Sequence, residues 1–162
     1  MSPPEPSLYS TASAYCCALL SAGWTSIGQG VAGQVFHREG CAEAIKVSDG
    51  DPCYLAFADY AAKYPSQCLP KLQVVYRNGQ WAVTHIELLR PLDSKDADEV
   101  KAWWDLYIAA KKSGCTPPPP AGWSALADAL GPIACREGCR FDMKCENAMQ
   151  RNGVVVFIDP LN

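Results

Sequence analysis

The segment Asp142-Met143-Lys144-Cys145-Glu146-Asn147 sets an acid, a cation and an amide at the spacing D-x-K-x-x-N. An aspartate so placed can accept the proton of an attacking hydroxyl. A lysine two residues on can steady a transferring phosphoryl group, and an asparagine five residues on can hold Mg²⁺. Further along, the apolar run Val154 to Ile158 leads into Asp159. A carboxylate at the end of a buried strand needs a strong partner, and Mg²⁺ is one. Taken alone, Asp159 reads more readily as a helix or turn cap.

Near the other end, Gly28, Gly30 and Gly33 stand at G-x-G-x-x-G, with Val35 two residues after the last. Glycine tolerates backbone angles that other residues avoid, and it lets a ligand lie against bare backbone. A dinucleotide-binding loop needs a helix directly after the glycines. Here Gln34-Val35-Phe36-His37 alternates like a strand, so the arrangement is strand, glycine loop, strand. That is the build of a lid over nucleotide phosphates. Ala44-Ile45-Lys46-Val47 then puts a lysine inside an apolar strand. A buried ammonium is costly without an anion, and phosphate oxygens would supply one. The competing reading is an edge-strand lysine whose charged end reaches water.

These residues must be positioned by an α+β chain. Ala12, Tyr15, Cys16, Leu19 and Leu20 recur at helical spacing, with Ser10 or Thr11 as cap and Gly23 as stop. Three short strands follow at 24–27, 34–37 and 42–47. A helix spans Pro52 to Lys63 with its proline in the first turn. Strands 73–76 and 81–86 flank the turn Arg77-Asn78-Gly79-Gln80. A helix from Asp96 to Lys112 carries Val100, Trp103, Trp104, Tyr107 and Ile108 on one face. Prolines 117–120 read as a stiff connector. Another helix covers 123–135, and Gly131-Pro132 is expected to break or kink it. A turn at Asn152-Gly153 precedes the last strand.

Composition narrows the class. With 49% hydrophobic and 19% charged residues, the 162-residue chain is globular, and its net charge of −3 with no basic run gives no nucleic-acid footprint. No apolar run approaches the ~18 residues of a membrane span, and Met1 to Pro6 lacks a secretory leader's pattern. The nine cysteines are odd in number and form no C-x-x-C pair. Reduced thiols in a reducing cytoplasm are expected.

The order of glycine loop, strand lysine, helix, D-x-K-x-x-N and strand aspartate resembles a protein kinase. Within that class the sequence resembles the small early serine/threonine kinases of T7-like bacteriophages. The resemblance is carried by FDMKCENAMQRNGVVVFIDPL, by the glycine loop with Ile45-Lys46-Val47, by Tyr54-Leu55-Ala56-Phe57 and by Leu69-Pro70-Lys71-Leu72. In that group the metal motif is Asp-Pro, as Asp159-Pro160 is here.

The resemblance implies a minimal protein-kinase-like two-lobed fold. Residues 1–23 would be an N-terminal extension with a helix. Residues 24–162 would form the kinase-like domain, with an antiparallel N-lobe sheet to about 90 and a truncated helical C-lobe from about 91. It implies ATP- and Mg²⁺-dependent phosphorylation of serine or threonine in host proteins, in the host cytoplasm, during host takeover, with neither nucleic acid nor membrane as partner. Gly28, Gly30, Gly33 and Val35 would cover the nucleotide, and Lys46 would orient its phosphates. Glu87 and Leu89 would offer backbone contacts to adenine. Asp142 would be the base, Lys144 the phosphoryl stabiliser, and Asn147 and Asp159 the metal ligands.

Three departures keep other readings open. No glutamate lies between Val47 and Ile86 to pair with Lys46, and Asp59 is the weak substitute on that helix. Arg140-Phe141 replaces the usual His-Arg pair, with Phe141 expected in the core. The sequence ends three residues after Asp159 without an activation segment, so control by activation-loop phosphorylation is not expected. The rivals are a pseudokinase that binds and inhibits a host protein, and a small-molecule kinase. His37 and His85 are expected to be packed or surface residues.

Overall fold

The computed structural model describes residues 2–79, 81–116 and 118–161. Gln80 of the expected turn, Pro117 of the proline run and the terminal Asn162 lie outside them. The chain folds as two compact units, one of Met1–Lys63 with Lys71–Leu88 and one of Tyr64–Pro70 with Leu89–Asn162.

The first unit begins with α1 (Ala12–Ser21), capped by Thr11, whose Oγ1 accepts from the Ala14 amide at 3.2 Å. Then come β1 (Thr25–Gly30), β2 (Gly33–His37), β3 (Glu43–Asp49), α2 (Pro52–Lys63), β4 (Leu72–Arg77) and β5 (Trp81–Glu87). The five strands form one antiparallel sheet in the order β1-β2-β3-β5-β4. Alternation sorts β3 onto two faces. Ile45 and Val47 join Tyr15, Leu19, Trp24, Phe36, Trp81 and Val83 in the core beneath α1. Lys46 therefore belongs to the opposite face. The helix at Pro52–Lys63 has the bounds its sequence predicts, and it buries Tyr54, Phe57, Ala58 and Ala61.

The second unit contains β6 (Arg90–Pro91), α3 (Ser94–Ser113), α4 (Ala121–Glu137), β7 (Ala148–Arg151) and β8 (Val154–Phe157). Its sheet runs β6-β7-β8, antiparallel throughout. The β7–β8 turn is Asn152-Gly153, with φ of 50° and 79°. Two positive φ values in succession favour this Asn-Gly pair. Trp103 of α3 lies 5.5 Å edge-on from Trp123 of α4 and 5.9 Å from Phe157 of β8, and Trp104 lies 5.3 Å from Phe141. Phe141, expected in the core, packs against the buried Trp104 and Tyr107 but is itself only half-buried, at the core's edge.

Of the two outcomes expected at Pro132, a break or a kink, the break does not occur: α4 continues through the proline. An interior proline costs about 3 kcal/mol. Apolar residues buried on both sides of it, Leu126, Ala127 and Leu130 before and Ala134 after, hold the helix to the core. Burying one leucine stabilises by roughly 1.5–3 kcal/mol, so together these residues outweigh the proline.

Seven cysteines are free thiols. Cys53 and Cys139 are disulfide-bonded, so the expectation of reduced thiols throughout does not hold for them. Among the described residues, no helix is long and apolar enough to cross a membrane.

Candidate active site

The glycine motif forms a hairpin, not a loop into a helix. Gly30 pairs with Gly33, Gln29 with Gln34 and Gly28 with Val35, and Val31-Ala32 make the tip. The tip is tied to the end of β3, where the Asp49 amide donates to the Ala32 carbonyl at 2.9 Å. None of the three motif glycines has a positive φ, so backbone freedom does not explain them. Gly33 has a packing reason: a Cβ there would sit 3.0 Å from the Val47 carbonyl oxygen. At Gly28 and Gly30 an added Cβ meets protein no closer than 3.8 and 4.0 Å. The fold itself does not require glycine at those two positions, and bare backbone there remains open to a ligand.

Lys46 sits mid-strand, paired across the sheet with Val35 on one side and Thr84 on the other. Its ammonium lies over the Tyr54 ring, 3.4 Å from the centroid. Asp59, the acid on α2 considered as a substitute for the missing glutamate, turns elsewhere. Its carboxylate accepts two hydrogen bonds from Arg77, at 3.3 and 2.8 Å. Tyr54 was not singled out for this contact from the sequence, although its place one turn into α2 was visible. No residue pattern marks a tyrosine as the companion of a lysine on another element.

In the second unit the D-x-K-x-x-N residues converge. The Lys144 ammonium is 2.9 Å from Asp142 Oδ1. Asn147 Nδ2 donates to the Asp142 carbonyl at 3.0 Å and to its Oδ2 at 3.3 Å. The Asn147 amide donates to the Lys144 carbonyl at 3.0 Å, closing a short helical turn over Cys145–Asn147. Fully buried Met143 anchors the loop between its two charged neighbours. The hydrogen bond from Lys144 to Asp142, with the carboxylate's charge, holds the lysine pKa above its ordinary value. Lys144 remains 55% exposed against 16% for Asp142. The lysine can therefore leave the aspartate for a more highly charged oxyanion at little cost, because exposed ion pairs are weak.

Asp159 is set beside this loop by backbone bonds on both flanks. The Ile158 amide donates to the Asn147 carbonyl at 2.9 Å, and the Asp142 amide donates to the Pro160 carbonyl at 2.8 Å. A bridge between Phe141 and Leu161 extends the pairing. Asn147 directs its amide nitrogen at Asp142, which leaves its Oδ1 as an oxygen donor. An amide oxygen and one carboxylate suit Mg²⁺, which binds few protein oxygens and completes its shell with water and phosphate. Among the described residues no cluster of three His, Cys, Asp or Glu side chains could hold a metal by itself. The donor set fits a metal brought with phosphate rather than a closed protein cage.

The strand end at Glu87 is already engaged. Its amide donates to the Lys71 carbonyl at 2.9 Å, and its Oε1 accepts from the Lys71 amide at 2.8 Å. The Glu87 amide is therefore not open to a nucleotide base. Leu89 follows in the second unit and is 9% exposed. Both histidines serve local contacts. A His37 ring nitrogen lies 3.0 Å from the Cys41 carbonyl, and His85 lies 3.4 Å from Glu43. Neither lies among the convergent residues.

The chain matches no known family and no curated protein. Among solved structures it is similar to the crystal structure of Rad53 1-466 in complex with AMP-PNP, at 15% identity and a TM-score of 0.45. That alignment covers 93% of this chain and 43% of the other. A likeness this distant leaves this chain's own geometry as the ground for a functional reading.

Proposed function

We propose that this protein is an ATP- and Mg²⁺-dependent phosphotransferase with a minimal kinase-like fold, acting on serine or threonine hydroxyls of proteins. The observation that carries the reading is the convergence of Asp142, Lys144 and Asn147, with Asp159 held beside them by backbone pairing. Asp142 is the acceptor for the hydroxyl proton. Asn147 orients it, and Lys144 stands ready to stabilise charge on the transferring group. Mg²⁺ held by Asn147 and Asp159 would neutralise phosphate oxygens. Gly28, Gly30, Gly33 and Lys46 would serve the nucleotide. Catalysis of this kind comes from positioning and charge stabilisation. The sequence's resemblance to early phage kinases supports host proteins as substrates and the host cytoplasm as the setting.

Labelled ATP, a bacterial lysate and two variants test this. Wild type should label protein serine or threonine. Asp142→Asn should keep Mg²⁺-ATP binding while transfer falls by about 10²–10⁴-fold. Lys46→Met should weaken binding itself, because it removes a contact to ground-state phosphate. Label on a small metabolite alone would favour a small-molecule kinase. Binding without any transfer would favour a pseudokinase. No calorimetric heat and no thermal shift with millimolar Mg²⁺-ATP would overturn the nucleotide reading.

A further inference from the structure

We infer that Leu161 is a positioning residue for Asp142: its buried side chain holds down the segment that clamps the D-x-K-x-x-N loop at both ends. The inference rests on the phosphotransfer reading above and deepens it. The arc from Asp142 to Asn147 is bonded to one segment at two points. At its start the Asp142 amide donates to the Pro160 carbonyl at 2.8 Å. At its end the Asn147 carbonyl accepts from the Ile158 amide at 2.9 Å. The span of the loop, and the place of Asp159 beside it, therefore follow the course of residues 158–160.

That course needs an anchor on each side. Upstream, Phe157 is fully buried and its amide donates to the Cys68 carbonyl at 2.9 Å. Downstream, backbone bonding is sparse. Pro160 has no N–H to donate, and Phe141 meets Leu161 in an isolated antiparallel bridge. A pairing so short is marginal by itself. Leu161 is 1% exposed, so removal of its apolar surface from water keeps the segment in place. Its bridge partner Phe141 directly precedes Asp142, and it packs 5.3 Å from Trp104 and 6.5 Å from Tyr107. Leu161 thus acts on the base through one peptide. It fixes the Pro160 carbonyl, and that carbonyl fixes the Asp142 amide.

The test shortens the side chain with Leu161→Val and Leu161→Ala, restores its bulk with Leu161→Met, and takes Leu130→Ala as control. Leu130 is fully buried in α4 and loses the same atoms on truncation. Hydrogen exchange at the Asp142 amide is read by NMR. Transfer to lysate protein from labelled, saturating Mg²⁺-ATP is read alongside. Exchange should quicken in the order Leu, Val, Ala, because the opening that frees this amide is local. The transfer rate should fall in the same order, by about 10²-fold for alanine, the cost of an ångström's misplacement. Leu161→Met should return both to within about three-fold of wild type. Leu130→Ala should leave the transfer rate within about three-fold. The valine variant decides the question if the alanine variant does not fold. Unchanged exchange across the series would overturn the inference. So would quickened exchange at an unchanged transfer rate, or equal losses of rate from Leu161→Ala and Leu130→Ala. Each of these leaves the phosphotransfer reading standing. No transfer by wild type would overturn that reading, and the inference with it.

Discussion

The side-chain amide of Asn147 reaches two oxygens of Asp142, the carbonyl at 3.0 Å and Oδ2 at 3.3 Å. It therefore orients the aspartate whether or not a metal is present. Asn147→Asp would remove both donated bonds and bring a second negative charge to the same place. The variant should lose about 1–2 kcal/mol of stability in urea melts without nucleotide. Phosphotransfer should fall at least 10²-fold. A variant as stable as wild type would show that the amide is not structural.

The three motif glycines should separate by substitution. Gly33→Ala brings a Cβ within 3.0 Å of the Val47 carbonyl oxygen, and overpacking of this kind costs roughly 1–3 kcal/mol. Gly28→Ala and Gly30→Ala meet no such neighbour. Their stability should stay within about 0.5 kcal/mol of wild type, or rise slightly through the unfolded chain, while Mg²⁺-ATP affinity falls. Thermal melts and calorimetry on the three variants measure both. Equal destabilisation at all three positions would contradict the open surface at Gly28 and Gly30.

Asp59 is committed to Arg77 across an exposed ion pair. Such pairs contribute about 0–1 kcal/mol. Asp59→Ala should therefore change stability by less than about 1 kcal/mol and leave Mg²⁺-ATP affinity within about two-fold. A large loss of affinity would restore Asp59 as the partner of the nucleotide lysine.

Asp128 should report on acid stability. Its Oδ1 accepts from Lys111 Nζ at 2.7 Å and from Tyr107 Oη at 2.7 Å, joining α3 to α4. The Lys111 hydrogen bond, then that of Tyr107, holds its pKa below the ordinary carboxylate value. A folded-state pKa below the unfolded one stabilises the fold above the unfolded value of about 4, and that stability is lost as pH falls through the folded value. The stability difference between wild type and Asp128→Asn should be constant from pH 5 to 7 and shrink below about pH 4. Asp128 is 45% exposed, so solvent screening keeps the difference under about 1 kcal/mol. A gap that widens below pH 4 would reverse the sign argued here.

What neighbours along the chain can specify was legible in the sequence. Alternation after Gly33 marked a strand, and Pro52 marked the start of α2. Asn152-Gly153 marked its hairpin, and D-x-K-x-x-N brought its own residues together within one short loop. These features depend on periodicity and turn chemistry, which act over a few residues. The tertiary structure decided which distant groups meet. It sent Asp59 to Arg77, laid Tyr54 over Lys46, and engaged the Glu87 amide with Lys71. It joined Trp103 Nε1 to Ser124 Oγ and that hydroxyl to the Pro118 carbonyl, at 3.3 and 2.7 Å. It also carried α4 through Pro132, because core burial on both sides outweighs one lost backbone bond. A side chain's partner is chosen by competition among all groups that packing brings within a few ångströms, and no local spacing records that competition.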